Sequence, residues 1–239
     1  MTALRALLVD VGGTLVDDAT WLPKDRYDAL RLRRLAEAMG GRRPWFDALV
    51  GNDFVESDAT TYEQRTAEQV TDYLESQGAV ATPAEVEAIC RACAMPLHEV
   101  VELEEHAVAS MRAAQALGLR LAICSNTLWR DDADSRRDWE AFGLGDVFDA
   151  HITSHSTGYA KPHAAIFERC LEALDVSPDE AAIVGDRPER DVAGARAVGM
   201  RAIWKRPLDF AGPPDPIPDE EISSLDELAA ILERWTHGA

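Results

Sequence analysis

Asp10 ends an apolar run, Leu7-Leu8-Val9, and stands just before Gly12-Gly13-Thr14. A run without polar alternation predicts a strand covered on both faces, and the glycines permit a sharp exit with close approach of backbone to a ligand. A carboxylate delivered into such a turn is presented as a nucleophile would be, although an aspartate that only caps the turn reads the same locally. The pattern recurs in Leu121-Ala122-Ile123-Cys124-Ser125-Asn126 and in Ala182-Ile183-Val184-Gly185-Asp186, so three strands each end in a small polar or acidic group.

The elements that must position these groups alternate. From Glu104 the pattern predicts a helix to Leu117 with Gly118 as its stop, then strand 119–124, a strand near His151–Ser154 and helix 163–174. Strand 181–184, helix 190–198, strand 201–204 and a closing helix near 221–235 follow. Such alternation predicts an α/β fold, a Rossmann-like parallel sheet wrapped by helices. Between Asp17 and Leu103 helical periodicity replaces strand runs: Tyr27, Leu30, Leu32 and Leu35 suggest one helix, Tyr62, Val70, Tyr73 and Leu74 a second, and Pro83 opens a third through Val86, Ile89 and Cys90. The expected organisation is a core of residues 1–16 plus 104–239 interrupted by a helical insertion, 17–103. Pro207, Pro213, Pro214, Pro216 and Pro218 mark an irregular crossing before the last helix. G-x-G-x-x-G is absent after every candidate strand, which argues against a dinucleotide site.

Open parallel sheets bind ligands beyond the carboxyl ends of their strands, where Asp10, Ser125 and Asp186 would converge. Two carboxylates held together repel unless a cation intervenes, and Mg²⁺, which takes a few oxygen ligands and keeps waters, meets that need. Lys161, in Gly158-Tyr159-Ala160-Lys161-Pro162, supplies a compact charge able to hold Asp10 ionised and to neutralise a phosphoryl oxygen. The site therefore suits a small anionic substrate, the local cations overcoming a formal net charge of −19 from 43 Asp+Glu against 24 Lys+Arg. The same acidity disfavours nucleic acid. No apolar run approaches the about 18 residues of a membrane span, and the chain opens on a strand without a leader pattern, so a soluble cytoplasmic protein is expected. Cys90 and Cys93 form a C-x-x-C with no second ligand pair, which argues against a metal or redox role.

Taken together, Asp10-Val11-Gly12-Gly13-Thr14-Leu15, Ser125-Asn126, Lys161-Pro162 and Gly185-Asp186-Arg187-Pro188-Glu189-Arg190-Asp191 resemble, in order, the four motifs of the haloacid dehalogenase superfamily of hydrolases. The helical insertion resembles that family's first type of cap (C1). The resemblance implies that Asp10 attacks phosphorus to form an aspartyl-phosphate, that Thr14, Ser125 and Lys161 complete the catalytic set, and that Gly13, Ser125, Asn126 and Lys161 hold the transferring group. It further implies Mg²⁺ bound by Asp10, the main-chain carbonyl of Gly12 and Asp186, with Asp191 supporting the metal site; a charge at a helix N-terminus is the plainer reading of Asp191.

One position departs from the pattern. Phosphatases of the family usually place an acid-base aspartate two residues after the nucleophile, where this chain has Gly12. General acid-base help is worth about 10²–10⁴ in rate, so three readings follow. The chain is a phosphohydrolase that is slow, restricted to good leaving groups, or assisted from the cap by Glu56, Asp58 or Glu63. Alternatively it is a 2-haloacid dehalogenase-type hydrolase, with Arg42 or Arg43 available for a substrate carboxylate. In the third reading it is a weakly active binding or regulatory protein for a phosphorylated ligand.

Other groups attract less chemistry. His163 reads as a surface position opening a helix, and Asp131, Asp132 and Asp134 as a solvated loop without the glycine and glutamate of a calcium site. Trp129 borders the crevice or fills the seam between core and cap. His155, Ser156 and Tyr159 are contact candidates on a loop expected to face the same opening. Hinges are expected near Asp17–Thr20 and Pro96–Leu103.

Overall fold

The computed structural model describes residues 2–237; Met1, Gly238 and Ala239, which the expected core bounds include, lie outside the described residues. Six parallel strands, β1 Ala6–Val9, β2 Arg120–Ser125, β3 Ala150–Thr153, β4 Ala181–Gly185, β5 Arg201–Lys205 and β6 Glu220–Ile222, form one sheet in the order β3-β2-β1-β4-β5-β6. The helices are α1 Lys24–Ala38, α2 Phe46–Val50, α3 Thr66–Ser76, α4 Pro83–Cys93, α5 Leu97–Val100, α6 Ala107–Ala116, α7 Asp132–Ala141, α8 Ser154–Thr157, α9 Ala164–Leu174, α10 Ala193–Val198 and α11 Leu228–Thr236.

Strand alternation explains why the strands read as unbroken apolar runs. Leu7, Val9, Leu121, Ile123, Ala182 and Val184 join one buried cluster with Met111 of α6, Trp139 of α7 and Leu228, Leu232 and Trp235 of α11. Ala6, Leu8, Ala122, Cys124, Ala181 and Ile183 turn to the other face, against Phe167 and Cys170 of α9 and Ala195 of α10. Both faces are covered, as parallel pairing requires. The centre strand β1 pairs with β2 (Val9 with Ile123) and with β4 (Val9 with Val184), so the chain emerges at Asp10 beside Ser125 and Asp186 at the same sheet edge. The strand order reverses between β1 and β4, the position at which such sheets open a crevice.

The segment between β1 and α6 holds its own apolar cluster, Leu35, Phe46, Leu49, Val70, Leu74, Val86, Ile89 and Cys93. Thr82 caps α4 reciprocally with Glu85, and Pro83 stands in its first turn. The two connectors run side by side: Val16 bridges Leu103, Asp17 N–H donates to the Glu102 carbonyl at 3.0 Å, and Leu22 N–H to the Val100 carbonyl at 2.9 Å. Far from those connectors the insertion also touches the sheet domain through an antiparallel bridge of Glu63 to Tyr159, with Ala160 N–H donating to the Tyr62 carbonyl and Gln64 N–H to the Gly158 carbonyl.

Several elements differ from the sequence expectation. Tyr62 lies outside any helix, at φ 57°, because its carbonyl is used on Ala160 and the helix starts only at Thr66. Residues 132–141 form a helix rather than a loop: Asp131 caps it reciprocally with Asp134, and Trp139, fully buried, is its anchor in an otherwise charged stretch. Helix 190–198 begins as a π-helical turn, Pro188–Val192, and becomes α-helical only at Ala193. The closing helix expected from about 221 is preceded by the short edge strand β6 and starts at Leu228. No helix among the described residues is long and apolar enough to cross a membrane.

Candidate active site

The carboxyl ends of the central strands bring together three carboxylates and an ammonium. Oxygen atoms of Asp10, Asp186 and Asp191 all lie within 4.8 Å of one another. Lys161 Nζ donates to Asp10 Oδ1 at 2.6 Å and to Asp191 Oδ1 at 2.7 Å. All four side chains are buried. Thr14 Oγ1 donates to Asp10 Oδ2 at 3.2 Å, so the nucleophile candidate is held at both oxygens. Asp191 also accepts from Arg187 N–H at 3.0 Å, which ties it to the turn that carries Asp186.

Two glycines make this approach possible. A Cβ on Gly13, at φ +64°, would meet Asp186 Oδ2 at 2.5 Å, and one on Gly185 would meet the Asp191 carboxylate at 2.3 Å. Gly13 and Gly185 therefore keep the space that the acids occupy. Gly12 is different: a Cβ there would meet nothing within 4 Å. The space beside it belongs to a cavity of about 150 Å³ lined by Asp10, Gly12, Asp18, Glu56, Asn126, Lys161, Asp186, Arg187, Arg190 and Asp191.

The electrostatics of the cluster are unbalanced. Burial first, then the charges of Asp10 and Asp191, push Asp186 up to about 7. Burial likewise lifts Asp191 to about 6, against the opposing pull of Lys161. For Lys161 burial acts downward, but the adjacent Asp10 and Asp191 outweigh it and hold the ammonium above its ordinary range. Lys161 and the half-exposed Arg187, whose Nε stands 3.3 Å from Asp186 Oδ2, leave three packed carboxylates incompletely neutralised, and the donor set is all oxygen, so the residues fit a hard divalent cation such as Mg²⁺.

Neighbouring groups fall into place around this centre. The Asn126 amide is engaged with the main chain of Lys161 at both ends, accepting from its N–H at 2.7 Å and donating to its carbonyl at 3.2 Å. Asn126 thus positions the lysine, while still lining the cavity. Among the described residues Ser125 Oγ has only its neighbour's carbonyl, at 3.3 Å, for a partner. Of the three acids of the insertion considered, Glu56 alone lines the cavity, where Arg190 Nη1 donates to its Oε2 at 2.8 Å. Asp58 instead accepts from Thr60 and Thr61 N–H in a turn, and Glu63 pairs with Arg65.

Sequence reasoning passed over Asp18, Arg187 and the role of Arg190. Asp18 Oδ1 accepts from Gly13 N–H and Trp21 Nε1, both at 3.1 Å, and the side chain lines the cavity. Its only advance signal was an acid one turn beyond the glycine pair. His155, Ser156 and Tyr159 do not line the cavity as expected: His155 Nδ1 bonds the Leu128 carbonyl, Ser156 Oγ accepts from Asp132 N–H, and Tyr159 stacks on His163 at 4.1 Å. His163 caps α9 by accepting from Ala165 N–H, Asp131 caps α7, and Asp132 accepts from Thr153 N–H. Trp129 fills the seam, 5.4 Å edge-on from Phe54. Arg42 is exposed and pairs with Asp47, and Arg43 donates to the Met39 carbonyl, so neither lies at the cavity.

A parallel sheet that gathers a nucleophile candidate, a lysine and two further acids at one edge beneath a helical insertion defines a class of hydrolase. Residues 4–199 match the haloacid dehalogenase-like hydrolases, and the chain belongs to that family. It is 36% identical over 131 residues to a phosphoserine phosphatase of Thermus thermophilus, covering 53% of this chain and 49% of that one. The chain thus spans about half the length of the curated relatives it matches. In fold it is similar to a 2-haloacid dehalogenase from Pseudomonas syringae pv. tomato (TM-score 0.66, 24% identity, covering 97% of this chain and 99% of that one). It is similar likewise to a HAD phosphatase from Thermococcus onnurineus (TM-score 0.62, 22% identity, covering 96% and 98%).

Proposed function

We propose that the chain is a Mg²⁺-dependent phosphohydrolase acting on a small phosphorylated metabolite, with residues 17–103 as a cap over the cavity. The observation that carries this reading is the buried cluster of Asp10, Asp186 and Asp191, with Lys161 bonded to Asp10 and Asp191. Asp10, Asp186 and the Gly12 carbonyl would hold the ion, with Asp191 in support, and the ion would supply charge stabilisation to the transferring group. Asp10, oriented by Thr14, attacks phosphorus and takes the phosphoryl group as an aspartyl-phosphate while the bond from phosphorus to the ester oxygen breaks and that oxygen leaves as its anion. Lys161 and Ser125 are the donors proposed for the equatorial oxygens, where alignment and charge stabilisation govern the rate, while the Gly13 N–H is already engaged by Asp18.

Glu56 accounts for the missing acid-base aspartate. Glu56, held by Arg190 Nη1 where it lines the cavity, is the carboxylate of the insertion placed to take a proton from the attacking water. Glu56 is therefore the base that releases phosphate from Asp10, and aryl or acyl phosphates are favoured over alkyl esters. Against the dehalogenase reading, Arg42 and Arg43 stand away from the cavity and two further acids, Asp186 and Asp191, stand beside the nucleophile. The weak-binder reading rests on Gly12 alone. Phosphate release from para-nitrophenyl phosphate with Mg²⁺, abolished by EDTA and by Asp10→Asn, is the expected result. Metal-independent halide release from a 2-haloacid, or ligand binding with no turnover of a broad ester panel, would replace this reading.

A further inference from the structure

The peptide plane between Gly12 and Gly13 carries the main-chain oxygen proposed for the ion, and the chain is pinned on both sides of it. The Val11 carbonyl accepts from Thr14 N–H at 3.3 Å, Leu15 N–H at 2.9 Å and Val16 N–H at 3.1 Å, while Lys205 Nζ donates to the Gly13 carbonyl at 2.8 Å. The plane itself lies between two glycines, so it can turn over at little steric cost. Among the described residues the Gly12 carbonyl accepts no hydrogen bond, although Gly12 lines the catalytic cavity. One side chain holds the plane: Asp18, whose Oδ1 accepts from Gly13 N–H at 3.1 Å.

The bond between Gly12 and Gly13 is trans, and the N–H and C=O of a planar trans peptide point opposite ways. Holding the Gly13 N–H toward Asp18 therefore turns the Gly12 carbonyl away from Asp18. A plane turned over would offer an N–H, the positive end of the peptide dipole, where a hard cation needs an oxygen. The turn that carries Asp18 is fixed at several points. Asp17 Oδ1 accepts from Ala19 N–H at 2.9 Å, Trp21 Nε1 donates to Asp18 Oδ1 at 3.1 Å, and Glu102 N–H donates to Thr20 Oγ1 at 2.9 Å. Glu102 belongs to the returning connector, so Asp18 stands where the two connectors of the insertion meet.

We propose that Asp18 is a positioning residue of the ion site: by holding the Gly13 N–H it aims the Gly12 carbonyl at the cation that Asp10 and Asp186 bind. This rests on the Mg²⁺ site of the reading above and adds the residue that gives its main-chain ligand a fixed direction. Asp18 acts through the peptide plane and touches neither ion nor substrate in this role.

The test titrates Mg²⁺ alone into the full chain by calorimetry. Groups that orient a metal ligand are worth about 10- to 100-fold in affinity, so Asp18→Ala is expected to raise the dissociation constant about 10-fold or more. Asp18→Asn loses the charge but keeps an Oδ1 able to accept from Gly13 N–H, and is expected to recover most of that loss. Turnover of para-nitrophenyl phosphate by Asp18→Ala is expected to return toward wild type as Mg²⁺ is raised. Should Asp18→Ala not fold, Asp18→Glu, which keeps the charge and sets the carboxylate one methylene further out, takes its place with the same expectation. An Asn variant that binds as weakly as the Ala or Glu variant would assign the effect to charge and overturn the proposal, as would wild-type affinity in Asp18→Ala. If wild type hydrolyses no ester but binds Mg²⁺, the phosphohydrolase reading falls by itself and the titration still decides the role of Asp18. If wild type binds no Mg²⁺, the metal reading falls, and exchange of the Gly13 amide proton decides separately whether Asp18 holds the plane. Exchange about 5-fold or more faster in Asp18→Ala than in Asp18→Asn supports that hold, and equal exchange overturns it.

Discussion

Arg190 Nη1 donates to Glu56 Oε2 at 2.8 Å, joining the π-helical turn beyond Asp186 to the loop of the cap. The pair places a cap carboxylate in the cavity beside Gly12. If Glu56 takes the proton from the attacking water, Glu56→Gln slows release of phosphate from Asp10 rather than its formation. Steady-state turnover of para-nitrophenyl phosphate is expected to fall about 10²-fold or more, with acid-stable phosphorylated protein accumulating in a quench experiment. A fall in turnover without that accumulation would remove Glu56 from the second step.

Gly12 opens on space, with nothing within 4 Å of where a Cβ would stand, and its φ lies outside the left-handed region. An aspartate at position 12 therefore fits without displacing the cluster. It would place a proton donor two residues after the nucleophile, so Gly12→Asp should raise kcat for alkyl phosphates by one to two orders of magnitude, within the roughly 10²–10⁴ range of acid-base help. Aryl phosphates should gain far less. Equal gains on both, read from parallel kcat measurements, would count against leaving-group protonation as the missing step.

The site was legible where chemistry sits at strand ends. Asp10, Ser125 and Asp186 each follow an apolar run, and parallel pairing alone brings such ends to one edge. Gly13 reads as a turn residue and Gly185 as the end of a strand run, but their tight approaches to Asp186 and Asp191 depend on contacts that no local pattern encodes. The helix over 132–141 was hidden because Asp132, Asp134, Arg136, Arg137 and Asp138 outnumber its anchor Trp139. The 62–64 segment was misread because it pairs with 158–160, a partner about a hundred residues away. Glu56 could be named as a possible occupant of the space opposite Gly12, but only its pairing with Arg190 singles it out from Asp58 and Glu63.

Lys161 is the only cation bonded to Asp10 among the described residues, and it is shared with Asp191. Removing it leaves two buried carboxylates facing each other. Lys161→Met should lose about 3–5 kcal/mol of stability without Mg²⁺ and abolish turnover. Magnesium should restore part of the stability, by about 2.7 kcal/mol at a hundredfold excess over its dissociation constant, and none of the turnover. Urea denaturation at fixed pH with and without the metal measures both. A loss below about 1 kcal/mol would show that the ammonium does not hold the acids together.

His151 offers a stability test remote from the acids. It lies on β3, 4% exposed, with Nδ1 on Ser135 Oγ at 3.2 Å and no partner for Nε2 among the described residues. Burial, reinforced by the nearby charge of Arg136, lowers it to about 4. In the unfolded chain the ring titrates near its ordinary value of about 6.5, so between those values the unfolded state binds more protons than the folded one. Stability from this group is complete above pH 6.5 and falls as pH drops toward 4, by about 2 kcal/mol at pH 5. His151→Leu removes that titration while the other groups contribute to both proteins alike. The difference in unfolding free energy between wild type and variant should therefore shift by about 2 kcal/mol from pH 7.5 to pH 5, against wild type. Two denaturation series that stay parallel across that interval would mean the buried ring is charged in the fold.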